Sequence, residues 1–88
     1  MSKAGPEMAA RRQFGSRVRA LRKAAGLSQE RLAQVSGLDR SYTGAIERGE
    51  TNISLDNIVA LARAIGVPLW MLFTLDETAS DPQPPNPS

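Results

Sequence analysis

Cysteine and histidine are both absent from the 88-residue chain. Without cysteine there are no disulfides and no thiolate metal sites, and nothing points to an oxidising compartment. No glycine-rich phosphate loop or metal-ligand cluster stands in their place. The single tyrosine, Tyr42, reads as a helix residue, and the carboxylates of Glu47 and Glu50, though close in sequence, have nothing around them that suggests a substrate cleft. An enzyme is therefore not expected, and neither is a cofactor or a bound metal. Long apolar runs are missing too. Met1 to Ala10 has no stretch that could serve as a signal peptide, and no segment approaches the roughly 18 apolar residues of a membrane span. The expected location is the cytoplasm.

What is present is a small helical protein with an uneven charge. The chain is long enough for one compact domain. Apolar residues make up 41% of it, yet a domain of this size buries only about 60% of its unfolded-chain surface, so association with a second copy would help it. All 11 basic residues precede residue 74, whereas three of the 9 acidic ones, Asp76, Glu77 and Asp81, follow it. The basic excess of the folded part favours a polyanionic partner, although charge alone does not distinguish nucleic-acid binders from other soluble domains.

The expected domain spans residues 9–75. Residues 1–8, with Gly5 and Pro6 among polar groups, and the tail 76–88, with Pro82, Pro84, Pro85 and Pro87, have little to bury and are expected to be disordered. Between them the pattern predicts five short helices in an all-α fold. Phe14, Val18, Leu21 and Ala25 recur at spacings of three and four on one face of the first, which ends at Gly26. Ser28 caps the second, with Leu32 and Ala33 inward. Gly37, Leu38 and Asp39 form a corner, Asp39 capping a third helix that runs to about Arg48. Ser54 caps the fourth, whose inner face holds Leu55, Ile58, Leu61, Ala62 and Ile65, and Gly66 closes it. Pro68 suits the first position of a fifth helix with Leu69, Leu72 and Phe73 inward.

Two short helices joined by a tight glycine-containing turn, Gln29 to Val35 and Arg40 to Arg48, have the form of a helix-turn-helix, whose second helix enters the major groove of DNA. Such pairs also occur in proteins that never touch DNA. The residues narrow the reading. The run Gly26-Leu27-Ser28-Gln29-Glu30-Arg31-Leu32-Ala33, then Gly37-Leu38-Asp39-Arg40-Ser41-Tyr42, Ile46-Glu47-Arg48-Gly49 and Ala62 to Phe73 resembles the lambda-repressor-like, or Xre, family over about residues 12–73. Within that family the phrases Leu-Asp-Arg-Ser-Tyr and Ile-Glu-Arg-Gly look most like the controller proteins of restriction-modification systems. The resemblance implies a five-helix DNA-binding domain, a homodimer and an inverted-repeat operator, with double-stranded DNA as partner.

Candidate site residues follow. With Tyr42, Ala45 or Ile46 turned partly inward, Arg40, Ser41, Thr43 and Gly44 are left toward the outer side of the third helix as base readers. Arg40 is the one long donor, able to bond guanine O6 and N7 together; the alternative is a solvated arginine beside Asp39. Gln29 begins a helix whose free amides favour a phosphate, and family members grip the backbone with this glutamine. The resemblance carries Ser28, Arg48, Thr51 and Asn52 over as further phosphate contacts, and Arg22 with Glu47 as a structural ion pair. Arg17, Arg19 and Lys23 read as a solvated face. Trp70 lies about 100° off its helix's inward stripe, so a dimer interface with Met71 and Val59 is expected to cover it, unless it folds over its own core edge. The competing function is an antitoxin or a helix-turn-helix adaptor that contacts other proteins, for which the short Pro-rich tail would be the only gripping segment.

Overall fold

The computed structural model describes residues 5–74. The Pro-rich tail expected at 76–88 lies outside the described residues. Within them the chain forms α1 (Pro6–Ala24), α2 (Gln29–Ser36), α3 (Arg40–Arg48), α4 (Leu55–Ile65) and a 3₁₀ helix (Leu69–Phe73). No helix among them is long and apolar enough to cross a membrane.

The boundaries follow local chemistry. The hydroxyls of Ser28 and Ser54 accept hydrogen bonds from the amides of Arg31 and Asn57, and the Asp39 carboxylate accepts one from the Ser41 amide. These caps satisfy amides that a helix start leaves unpaired. Gly37, Gly49 and Gly66 end their helices with φ of 78°, 74° and 88°, a left-handed conformation that costs glycine little.

Three expectations are corrected. First, α1 starts at Pro6 with Gly5 as N-cap and Glu7 in its first turn, so residues 6–8, expected to be disordered, are helical. Proline is well placed at a helix start because its missing N–H would be unpaired there anyway. Second, the fifth element is a 3₁₀ helix, and Pro68 precedes it as N-cap instead of occupying its first position. Of Leu69, Leu72 and Phe73, all expected inward, only Leu72 is: Leu69 is 37% exposed at the start of the element, and Phe73 rotates away at three residues per turn. Leu72 is fully buried, whereas Phe73 is 58% exposed, its ring 5.8 Å from that of Phe14. Third, Leu55 is 64% exposed. It is the first residue of α4, one turn before the buried stripe of Ile58, Leu61, Ala62 and Ile65 begins.

The core is small and contiguous: Val18 of α1, Leu32 of α2, Ile46 of α3, the α4 stripe, and Leu72 of the 3₁₀ helix. Each element contributes at least one side chain, and burying each of the larger ones contributes about 1.5–3 kcal/mol. Phe14 and Leu21 pack against this cluster, while Ala25, placed on the same face by the sequence pattern, is exposed at the helix end.

Candidate nucleic-acid interface

The corner between α2 and α3 sets the site. Gly37 takes positive φ, Leu38 packs against the core, and Asp39 starts α3. The Asp39 cap is reinforced by the Ser41 hydroxyl, which donates to the same carboxylate oxygen at 2.7 Å. Hydrogen bonds from that hydroxyl, from the Ser41 amide and from the Tyr42 amide hold the Asp39 carboxyl below its ordinary value of 3.8. The cap is therefore ionised at neutral pH.

The stripe Thr43, Ile46 and Glu47 turns α3 toward the interior, which leaves Arg40, Ser41 and Arg48 exposed on its outer side. Thr43 thus corrects the expected set of base readers: it is 1% exposed, and its hydroxyl donates to the Arg40 carbonyl at 2.8 Å. Only one turn from Arg40, it is nevertheless covered by the packing that buries its neighbours Ile46 and Glu47, and so offers no surface to a groove. Gly44 is buried, but by groups of the outer side. A side chain added there would come within 3.1 Å of the Arg48 guanidinium and 3.8 Å of Gln29 Oε1. Gln29, Asp39, Arg40, Ser41, Gly44 and Arg48 together line a recess of about 350 Å³.

The other expected contacts are more dispersed. Arg48 pairs with Glu50 at 3.0 Å, both side chains 57% exposed. A pair so open to water contributes little, so exchanging Glu50 for another anion costs little. Ser28 is exposed beside the start of α2. Thr51 and Asn52 line a separate, mainly apolar recess with Phe14, Ile53 and Phe73.

Beneath the outer surface runs a polar seam. Arg22 Nε and Nη2 donate to the two carboxylate oxygens of Glu47 at 2.7 and 3.1 Å, and Arg22 Nη1 donates to the Leu27 carbonyl at 2.8 Å. Both residues are buried. The fork geometry is the strong form of such a pair, and it ties α1, the α1–α2 turn and the end of α3 together. Gln29 joins it, its Nε2 donating to Glu47 Oε1 at 3.0 Å.

Sequence reasoning missed two features of this region. Gly15 lies where α1 crosses the end of α3: a side chain there would collide with the Ile46 carbonyl oxygen and stand 2.6 Å from that of Glu47. A glycine inside a long helix, where it costs about 1 kcal/mol relative to alanine, was the available signal. Arg17, read as part of a solvated face, donates from Nε to the Met71 carbonyl at 3.0 Å and so secures the 3₁₀ helix. No local pattern announces that contact.

The residues expected at a dimer interface lie on the α4 and 3₁₀ side. Trp70 is 63% exposed, and Met71 and Val59 are half-buried.

Comparison with known proteins places the chain. Residues 18–69 match the Helix-turn-helix family HTH_3. The control protein C.SmaI of Serratia marcescens is 44% identical over 57 residues, 65% of this chain and 68% of that protein. The control protein C.BamHI of Bacillus amyloliquefaciens is 47% identical over 55 residues, 61% of this chain and 68% of that protein. The crystal structure of the restriction-modification controller protein C.AhdI from Aeromonas hydrophila superposes with a TM-score of 0.73 at 55% identity, over 74% of this chain and 98% of that one. The match takes in α2, α3 and the corner between them, and this chain belongs to the helix-turn-helix family.

Proposed function

We propose that this chain is a DNA-binding transcription regulator that acts in the cytoplasm, without a catalytic step, as a homodimer on an inverted-repeat operator, and that it governs restriction-modification genes. The observation that carries the reading is the exposed start of α3, where Arg40 and Ser41 face outward beside Gln29 and the side-chain-free position of Gly44. In a helix-turn-helix this end of the second helix meets base edges. Arg40 is the base-reading donor, bonding a guanine, and Ser41 and Gly44 permit close approach. Gln29, with Ser28, Arg48, Thr51 and Asn52, holds the phosphate backbone and sets the register. The control-protein relatives support the assignment to restriction-modification genes. The exposed Trp70, with Met71 and Val59, supports a dimer, which would space two α3 helices about 34 Å apart, one turn of B-DNA.

Selection on random duplexes, with sequencing of what the protein retains, tests the reading. It is expected to return an inverted repeat. Arg40→Ala is expected to cost about 1–3 kcal/mol on the best duplex and to flatten the preference for guanine at one base pair of each half-site. An unchanged base preference at every position, in a correctly folded variant, removes Arg40 from the reading role. Retention of no duplex at all favours a protein-binding adaptor or antitoxin instead.

A further inference from the structure

The Arg22–Glu47 pair is complete by itself, because two guanidinium N–H groups meet two carboxylate oxygens. Glu47 nevertheless accepts a third donor, the side-chain amide of Gln29, which lies 18 positions earlier on another helix. We propose that Glu47 is a positioning residue for DNA binding, holding the Gln29 amide from inside the core in the orientation that grips a phosphate.

The orientation is dictated by chemistry. An ionised carboxylate only accepts hydrogen bonds, so the glutamine must present its nitrogen to it and turn its carbonyl oxygen away. That oxygen points to the outer side of α3, 3.8 Å from where a side chain at Gly44 would begin. Arg22 keeps Glu47 in place, and Glu47 keeps one N–H of Gln29 in place. The second N–H of the same nitrogen is not used by Glu47 and is left for a phosphate, beside the backbone amide at the start of α2. A long side chain ordinarily gives up rotamer freedom when it binds, and one that is already held gives up less. The inference rests on the phosphate role proposed for Gln29 and adds what orients it.

The test is a double-mutant cycle of Glu47→Gln and Gln29→Met. Affinity is read by fluorescence anisotropy on a labelled duplex of mixed sequence, since a phosphate contact is independent of sequence. Thermal unfolding of the same four proteins reads stability. Glu47→Gln offers Gln29 and Arg22 one acceptor oxygen where there were two, and is expected to weaken binding about three- to ten-fold. Gln29→Met is expected to weaken it at least as much. In the Gln29→Met background, Glu47→Gln is expected to change affinity no further while still lowering the unfolding temperature. A merely structural role for Glu47 would instead give two losses of affinity that multiply, and that result overturns the proposal. If Gln29→Met binds as the wild type does, the phosphate contact itself is wrong and the inference falls with it.

The wild type alone supplies a second measurement should Glu47→Gln fail to fold. The two side-chain amide protons of Gln29 are expected to be well separated by NMR and slow to exchange, as for an amide bound to a carboxylate. Protons that exchange like those of a solvated glutamine also overturn the proposal.

Discussion

The two halves of this small molecule depart from the rule of apolar inside and polar outside in opposite directions. Around α1, α2 and α3, polar groups are buried: Arg22, Thr43 and Glu47 all lie inside, each with hydrogen-bond partners. Around the start of α4 and the 3₁₀ helix, apolar groups are exposed: Leu55, Leu69, Trp70 and Phe73 face solvent, against Val35 alone among the large apolar side chains of the described part of the first half. Buried hydrogen bonds are directional, so the first half holds three helices at definite angles and fixes the face that would read DNA. Exposed apolar surface is non-directional and favours whatever covers it, so the second half invites a partner. In the proposed function, reading and association would thus fall to separate parts of the chain.

The largest expected effect comes from breaking the polar seam. Arg22→Met removes the charge but keeps much of the side chain's volume, and leaves the buried carboxylate of Glu47 with Gln29 as its side-chain partner. The expected loss of stability is about 3–5 kcal/mol by denaturant unfolding. A loss below about 1 kcal/mol would mean the pair behaves as an exposed one does, and the contrast between the halves would disappear.

A smaller loss is expected where the same half relies on backbone approach. Gly15→Ala should favour α1 by about 1 kcal/mol as an isolated helix. Against that, the new methyl meets the carbonyls of Ile46 and Glu47 where α3 ends. Overpacking of this kind costs about 1–3 kcal/mol, and backbone carbonyls cannot step aside as a side chain can. The expected outcome is a net destabilisation; a more stable variant would show that α1 and α3 separate freely.

Trp70→Ala sharpens the comparison from the other side. At concentrations where the chain is monomeric, folding stability is expected to stay within about 0.5 kcal/mol of the wild type, because the ring is mostly in water. Its effect is expected in the monomer–dimer equilibrium, followed by sedimentation, with the variant dissociating at higher concentration. Wild-type protein that sediments as a monomer at tens of micromolar would leave the exposed ring without the role proposed for it.

How much of this was legible in advance depended on the reach of each signal. Ser28, Asp39 and Ser54 were readable as caps, and Gly37 and Gly66 as helix ends, because a cap or a left-handed turn is decided within a few residues. The pairing of Arg22 with Glu47 was implied by family resemblance, not by any pattern of charge. Thr43 was misread because a hydroxyl looks like a surface group, whereas helical phase relative to Ile46 and Glu47 decides its side. Phe73 was misread because an α-helical spacing was applied to a segment that winds with three residues per turn.

Sequence alone determined that the chain is helical, where most of its helices begin and end, and that α2 and α3 form a helix-turn-helix, since these rest on local hydrogen bonds and a periodic apolar stripe. Tertiary structure decided which face of α3 looks outward, why Gly15 has no side chain, and that Glu47 reaches a third partner in Gln29. Those depend on the angle and distance at which helices cross, set by the packing of residues far apart in the chain, and no window of neighbouring residues contains them.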